Sequence, residues 1–356
     1  MLTFRPDGLL AGELALAGVS HVSLQPLDTG FNFFAPGLFR AVRAEQPDVI
    51  LCMGRMANCY GGLIQHRFSN IAVVGTVRTG KPLSAPYIWS LRQVSGILTN
   101  TDWWRARLIE QGFDPCKIAV VANGLTHDWV AKNQTGARNK LRRRLAIKPS
   151  TVVFLNVADF RRGKRQAHLI EIFSTLDPGW DCQLWLVGSG KEWGRCQRLA
   201  ERLGSGRVRL LGHSADPLPW YAAADVAVSA SIEDSMPNFL IEAQMAGLPV
   251  IAMDFQGVGE VLRDGKTGYL VAAHDGDALR ATVCKLYLRS EARRRMGRLA
   301  ETYAREKYGG EYQVSMTQEA LRTFASLRPR KPPLERTDIN VLPPEEDHTV
   351  LQEGKL

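Results

Sequence analysis

The sequence predicts an α/β protein made of two parallel, right-handed strand–helix units joined by a hinge. Three observations carry that prediction. Short apolar runs recur along the chain, and stretches with helical apolar spacing fill the intervals between them. Gly, Pro and Asn punctuate the joins. The alternation breaks in a polar, basic stretch at 130–149 and then starts again. With 356 residues, 45% of them hydrophobic, the chain is long enough for two domains.

In the first half, residues 1–4 read as the end of a strand and 7–17 as a helix closed by Gly18. Residues 19–24 alternate like a strand, 30–36 form an aromatic-rich loop, 36–44 a helix and 48–52 a buried strand. The stretch 53–68 reads as a helix that Gly54, Gly61 and Gly62 pack closely on its neighbours. A strong strand at 71–77 leads into a basic loop, Arg78-Thr79-Gly80-Lys81-Pro82, followed by a helix at 84–94. Strand 96–99, helix 103–111 and strand 118–122 complete this half, stopped by Asn123-Gly124. The segment 130–149 is taken as hinge plus first helix of the second unit, with Arg142-Arg143-Arg144 as a solvated face.

The second half predicts strands at 151–157, 182–187, 208–210, 225–228, 250–253 and 269–271. Helices fill 166–175, 192–203, 219–224, 238–246, 277–289, 292–308 and 312–327, with a helical turn at 258–263. From 328 onward proline, charge and polar residues dominate, and the segment reads as a disordered tail.

The stretch from Ser229 to Ile251 holds the candidate site. It reads as strand end, acidic turn (Glu233-Asp234-Ser235), Pro237-Asn238, helix, Gly247-Leu248-Pro249 and strand. A loop at the carboxyl end of a strand, feeding a helix N-terminus, is where α/β proteins bind phosphorylated ligands. Asp234 and Glu242 stand eight positions apart, one at the loop and one inside the helix. A carboxylate on the inner face of that helix can accept two hydrogen bonds from a sugar diol. Free N–H groups near Asn238 and Phe239 would face a phosphate. The plain alternative makes Asp234 a cap and Glu242 a solvated helix residue.

The formal charge is +9, which suits anionic substrates or an anionic membrane face. Lys and Arg are interspersed with acidic residues and no recognition motif is present, so no nucleic-acid role is assigned. No run approaches the roughly 20 apolar residues that span a bilayer, and the start carries no signal-peptide pattern. Six scattered cysteines without a C-x-x-C pair point to a reduced, cytoplasmic protein with no metal site. Asp275-Gly276-Asp277 has the form of a manganese-binding D-x-D but precedes a helix and reads as a cap.

Glu233–Asn238, Glu242-Ala243 and Ala246–Val250 together resemble the donor-site signature of the family 4 retaining glycosyltransferases, of GT-B fold. Residues 156–164 (NVADFRRGK), the turn Val187-Gly188-Ser189-Gly190, residues 208–212 followed by Tyr221 and Asp225, and 258–270 (VGEVLRDGKTGYL) match further segments in the family's order. Residues 96–124 resemble the last part of its N-terminal domain. The resemblance implies two Rossmann-like domains facing a cleft: an acceptor-side domain at 1–130, a nucleotide-sugar-binding domain at 131–310, and a C-terminal helix at 311–327, before the tail at 328–356. It also implies site roles. Arg161 and Lys164 would hold the donor diphosphate, with Arg162 and Arg165 as rivals at adjacent positions. Glu242 would bind the ribose hydroxyls, and Asp234 or Glu233 the sugar hydroxyls. The backbone of Pro237, Asn238 and Phe239 would cap the phosphates. Gly188 and Gly190 would shape the strand–glycine turn, and His213 would approach the base. Apart from the resemblance, Arg78 and Lys81 follow a strong strand, a natural place to face the cleft, and would take an anionic acceptor or the donor phosphate, with a surface turn as the plain alternative.

Three departures stand out. Asp234 occupies a position where the family usually has Glu. Arg78-Thr79-Gly80-Lys81 stands where many members carry a histidine. The first strand, glycine-rich loop and first helix have no counterpart ahead of residue 1, so the N-terminal domain is expected to lack them. The activity implied is metal-independent sugar transfer with retention, from a nucleotide sugar such as a UDP- or GDP-sugar to a glycan or lipid-linked acceptor. No cofactor is expected, and contact with the membrane would be peripheral, at its inner face. Two alternatives are another GT-B activity, such as a sugar phosphorylase or epimerase, and a catalytically impaired protein that binds a nucleotide sugar or acts as a scaffold.

Overall fold

The computed structural model describes residues 1–6, 11–31, 33–125, 134–204 and 206–326. The start of the helix expected at 7–17, the opening of the hinge at 130–133 and the tail expected at 328–356 lie outside the described residues.

The first unit opens with β1 (Leu2–Thr3), α1 (Ala11–Leu16) and β2 (Val22–Ser23), and β1 and β2 form a parallel pair of their own. After α2 (Leu38–Glu45), β3 (Val49–Leu51), α3 (Gly54–Arg67), β4 (Ala72–Val77), α4 (Ala85–Gln93), β5 (Gly96–Thr99), α5 (Asp102–Glu110) and β6 (Ile118–Val120) alternate. Their strands make one parallel sheet in the order β3-β4-β5-β6. All six residues of β4 are buried, as a continuous Val-rich run requires of a central parallel strand covered on both faces. Gly61 and Gly62 let α3 approach α4, where the Gly62 N–H donates to Ser90 Oγ at 2.6 Å.

The β1–β2 pair stands apart from that sheet. An apolar cavity of about 680 Å³, with Leu2, Val22, Leu38, Ile50 and Ile64 in its walls, lies between the pair and β3. Among the described residues no strand spans this gap.

The second unit runs α6 (Gln134–Arg144), β7 (Val152–Val157), α7 (Gln166–Ser174), β8 (Cys182–Val187), α8 (Trp193–Leu203), β9 (Val208–Leu210), α9 (Leu218–Ala223) and β10 (Val226–Ser229). It continues with α10 (Asn238–Met245), β11 (Val250–Met253), β12 (Gly268–Val271), α11 (Gly276–Leu288) and α12 (Ser290–Tyr308). Its six strands are parallel, in the order β12-β11-β10-β7-β8-β9. The chain therefore builds one half outward from β7, then returns to build the other half from β10. Two apolar layers, one on each face, sandwich this sheet.

Two expectations change here. The arginine run does not lie on a solvated face, because the helical period turns one of three consecutive residues inward. Arg142 is 5% exposed and donates to the Thr151 carbonyl at 2.6 Å and to Asp225 at 3.1 Å, whereas Arg143 and Arg144 are exposed. Asp225, which closes one of the family-matched segments above, precedes β10 and so sits at its amino end, held by Arg138 at 2.7 Å and by Arg142. That is the end of the sheet opposite the site. Asp275 does cap α11, accepting from the Ala278 N–H at 2.8 Å.

The final helix, α13 (Gly310–Ser326), returns to the first unit. Its Ala320 and Phe324 close an apolar layer over Val74, Leu98 and Val121. Phe324 is 2% exposed, so Phe324→Ala should cost about 3–5 kcal/mol. Thermal or denaturant unfolding checks this, and the loss should appear in the unfolding of the N-terminal unit.

Candidate functional site

In the six-stranded sheet β7 and β10 are neighbours, although some 70 residues separate them in sequence. The chain leaves their carboxyl ends toward opposite halves of the sheet, which opens a crevice between the two loops. The loop after β7 carries Arg161 and a 3₁₀ turn, Arg162–Lys164. The loop after β10 carries Glu233, Asp234 and Ser235. A backbone bond from the Ile232 N–H to the Gly163 carbonyl, 2.9 Å, fastens one loop to the other.

Lys164 Nζ donates to both Asp234 oxygens, at 2.7 and 2.6 Å. Arg161 bonds Glu233 at 2.9 Å and lies 3.7 Å from Asp234. The Lys164–Asp234 side chains are 15% and 13% exposed, against 34% and 40% for Arg161 and Glu233, so the former is the inner pair. Asp234 also borders the same cavity as Glu242, and Glu233 does not. The two neighbouring acids, equivalent in the sequence, thus occupy different places.

That cavity, about 380 Å³, is bounded by Lys164, Asp234, Asn238, Phe239 and Glu242 from the second unit and by Arg78 and Asn123 from the first. Pro237 and the start of α10 form one wall, so the free N–H groups of its first turn and the positive end of its dipole point at the crevice. Glu242 accepts a hydrogen bond from the Tyr221 phenol at 2.5 Å. Burial pushes the Glu242 carboxyl above its ordinary value, and the Tyr221 hydrogen bond pulls partly the other way. Burial, together with the neighbouring carboxylate, raises the Tyr221 phenol.

Gly188 and Gly190 do not border the cavity. Both have left-handed backbone, φ 144° and 147°, and pass so close to Ala158 and Phe160 that a Cβ would lie 2.1 and 2.5 Å from their carbonyl oxygens. They set the course of the loop that carries Arg161. His213 is exposed beside Gly212, whose carbonyl accepts from the Gly188 N–H, and lies outside the cavity walls. Arg162 and Arg165 turn away into a separate space with His168, Glu171 and Arg195.

The first unit contributes from the carboxyl ends of β4, β5 and β6. Arg78 donates to the Val121 and Ala122 carbonyls, both at 3.4 Å, and burial lowers its pKa. A second space of about 180 Å³ joins Arg78 and Lys81 to Asn100, Asn123, Glu233 and Asp234. Gly80 has no substitute here, since a Cβ would stand 1.8 Å from the Glu233 carbonyl oxygen. Ser235 donates to Asn100 at 3.0 Å, and Asn123 donates to the Met236 carbonyl at 3.1 Å and to Asn238 at 2.7 Å. Asn100 and Asn123 were not singled out as site residues from the sequence. Their signal is positional: each is the first polar side chain beyond an apolar strand of the same sheet. Trp103 and Trp104 pack edge to face at 5.0 Å, and the Trp104 indole donates to the Thr79 carbonyl at 2.7 Å, so they support the loop.

With this geometry in place, comparison with known proteins is informative. The family model described as Glycosyltransferase Family 4 matches residues 1–129, and that described as Glycosyl transferases group 1 matches residues 151–289. The chain is 28% identical to the N-acetyl-alpha-D-glucosaminyl L-malate synthase of Bacillus anthracis, over 49% of this chain and 46% of that one. It is 32% identical to the lipopolysaccharide core biosynthesis glycosyltransferase LpsE of Rhizobium meliloti, over 40% and 42%. To the D-inositol 3-phosphate glycosyltransferase of Corynebacterium urealyticum it is 30% identical, over 67% and 59%. The chain thus spans about half the length of the curated relatives it matches. Among solved structures, Anabaena Alr3699/HepE in complex with UDP superposes with TM-score 0.77 at 20% identity, over 92% of both chains. Sucrose-phosphate synthase from Thermosynechococcus elongatus superposes with TM-score 0.76 at 19% identity, over 92% and 89%. The fold is GT-B, and the chain belongs to glycosyltransferase family 4.

Because burial raises the Glu242 pKa, its ionisation costs more in the folded chain than in the unfolded one. That cost is absent below the ordinary value of 4.5, grows as pH rises toward the folded value and is complete above it. Glu242→Gln should therefore raise Tm at pH 7. The gain should disappear in melts below the ordinary carboxylate range.

Proposed function

We propose that the chain transfers a sugar from a nucleotide sugar to a glycan or lipid-linked acceptor, with retention of anomeric configuration and without a metal. The observation that carries this reading is the common cavity of Lys164, Asp234, Glu242 and the α10 N-terminus at the sheet's switch point. Anabaena Alr3699/HepE, similar in fold, is known in complex with UDP and with UDP-glucose.

In the transfer, the bond between the anomeric carbon and the phosphate oxygen breaks and its electron pair stays on the departing diphosphate. Lys164 and the N–H groups of α10, which border the cavity, take up that charge, and Arg161 joins them from the adjoining space it shares with Asp234. Arg can grip two oxygens and Lys acts as a point charge. A diphosphate entering here takes Lys164 and Arg161 over from Asp234 and Glu233, which leaves both carboxylates able to accept from sugar hydroxyls. Glu242 accepts from the ribose diol while Tyr221 holds it in place. The acceptor hydroxyl attacks from the face the diphosphate leaves, and its proton passes to the departing phosphate. No covalent sugar–enzyme intermediate forms. Arg78 and Lys81, on the facing domain, receive an anionic acceptor.

The basic balance of the chain and the exposed Phe31, Phe33 and Phe34 support peripheral contact with an inner membrane face, in the cytoplasm. Among the described residues no helix is long and apolar enough to cross a membrane. One observation favours a second reading, donor binding without turnover: the N-terminal sheet is divided by an apolar gap.

A thermal-shift screen of UDP- and GDP-sugars tests donor binding, and a donor at 100 times its Kd should add about 2.7 kcal/mol. Nucleotide release with an acceptor separates the two readings. Lys164→Ala should lower kcat by about 100-fold or more, and NMR of the product should show the donor's anomeric configuration. Mass spectrometry of enzyme incubated with donor should find no glycosylated Asp or Glu. Saturable donor binding with no release under any acceptor supports the second reading.

A further inference from the structure

We infer that Glu260 is a positioning residue, clamping the two domains at the angle that brings the halves of the site together. It ends the 3₁₀ turn Gln256–Glu260 of the C-terminal domain. Its carboxylate reaches across to the N-terminal domain and accepts from the first two N–H groups of α5. The Asp102 N–H donates to one oxygen and the Trp103 N–H to the other, each at 2.8 Å. These are donors that no bond inside α5 can satisfy, at the positive end of the helix. Thr101 satisfies the next one from within the domain, accepting from the Trp104 N–H at 3.2 Å.

The other end of Glu260 is anchored as firmly. Its carbonyl accepts from Lys307 Nζ at 2.9 Å and the Tyr308 hydroxyl at 3.0 Å, both at the end of α12. The Tyr308 carbonyl in turn accepts from the Leu125 N–H at 2.9 Å, so the end of the first domain meets the start of the return crossing at this place. Gln256, at the other end of the same turn, donates to the Gly80 carbonyl at 3.0 Å. One short turn therefore holds α5 and the Arg78–Lys81 loop against the C-terminal domain. In that arrangement Asn100, Arg78 and Lys81 border the same space as Asp234. Glu260 touches neither described cavity, so it acts on the site through α5 and the loop.

The consequence for turnover rests on the proposed transfer reaction; the clamp itself does not. Hydrogen exchange on the full chain therefore comes first, comparing the parent with Glu260→Ala and Glu260→Gln. In Glu260→Ala the Asp102 and Trp103 amides should exchange at least about tenfold faster, with the amides of β7 and β10 still protected, which shows that the variant is folded. Gln keeps one acceptor and should fall between. In parallel, kcat/KM should fall about tenfold or more in Glu260→Ala and recover partly in Glu260→Gln, while donor affinity, a property of the C-terminal domain, stays at the parent value. Parent-like exchange at residues 102 and 103 in a folded Glu260→Ala overturns the clamp. Faster exchange with unchanged kcat/KM overturns the positioning role. Should the parent transfer no sugar, the exchange result alone decides the clamp, and the proposed function fails separately.

Discussion

Everything at the site depends on two parallel strands, β7 and β10, lying side by side while the chain winds outward from each in opposite directions. Adjacent strands keep the starts of their loops within about 5 Å of each other. The opposite winding leaves no helix over the space between those loops. Cations carried by the first loop and carboxylates carried by the second therefore meet at an open crevice, and α10 starts from its rim with its N–H groups exposed to it. Neither loop makes a site alone.

The Lys164–Asp234 pair shows how such a crevice handles charge. Holding both ions at about 15% exposure costs hydration that their attraction roughly repays, so the pair contributes little net stability. What it contributes is placement. Each side chain is held in the crevice by the other. Glu242 has a different arrangement. Its carboxylate is half-buried at some cost, reduced by the Tyr221 phenol.

The contact between the domains is mostly polar near the crevice. Asn–backbone, Ser–Asn and carboxylate–helix bonds cross it, and Gly80 is there because nothing larger fits beneath Glu233. Large apolar burial between the domains comes instead from α13, which leaves the second domain and covers the first one's sheet. A polar seam at the site and an apolar strap behind it let the angle between the domains depend on a few directional bonds while the two stay joined.

The alternation of apolar runs and helical spacing was enough to read nearly every strand and helix, because a parallel strand buried on both faces must be continuously apolar. Spacing alone left Asp234 and Glu242 open between a ligand site and a helix cap with a solvated helix residue; the family resemblance pointed to the first, and the structure sets both on one cavity. Periodicity along one element could not say which member of Arg142-Arg143-Arg144 turns inward, since that follows from where the sheet lies. Nor could it tell Asp234 from Glu233, or show that Asp225 sits at the far end of its strand from the crevice. The positions of Asn100 and Asn123 after apolar strands were visible, but what they and Glu260 bind was not, because their partners are on the other domain, more than 100 residues away. The sequence alone determined which elements form and what chemistry each loop carries, because both depend on neighbours in the chain. Only the tertiary structure decided which loops meet, because that depends on strand order and on bonds across the domain seam.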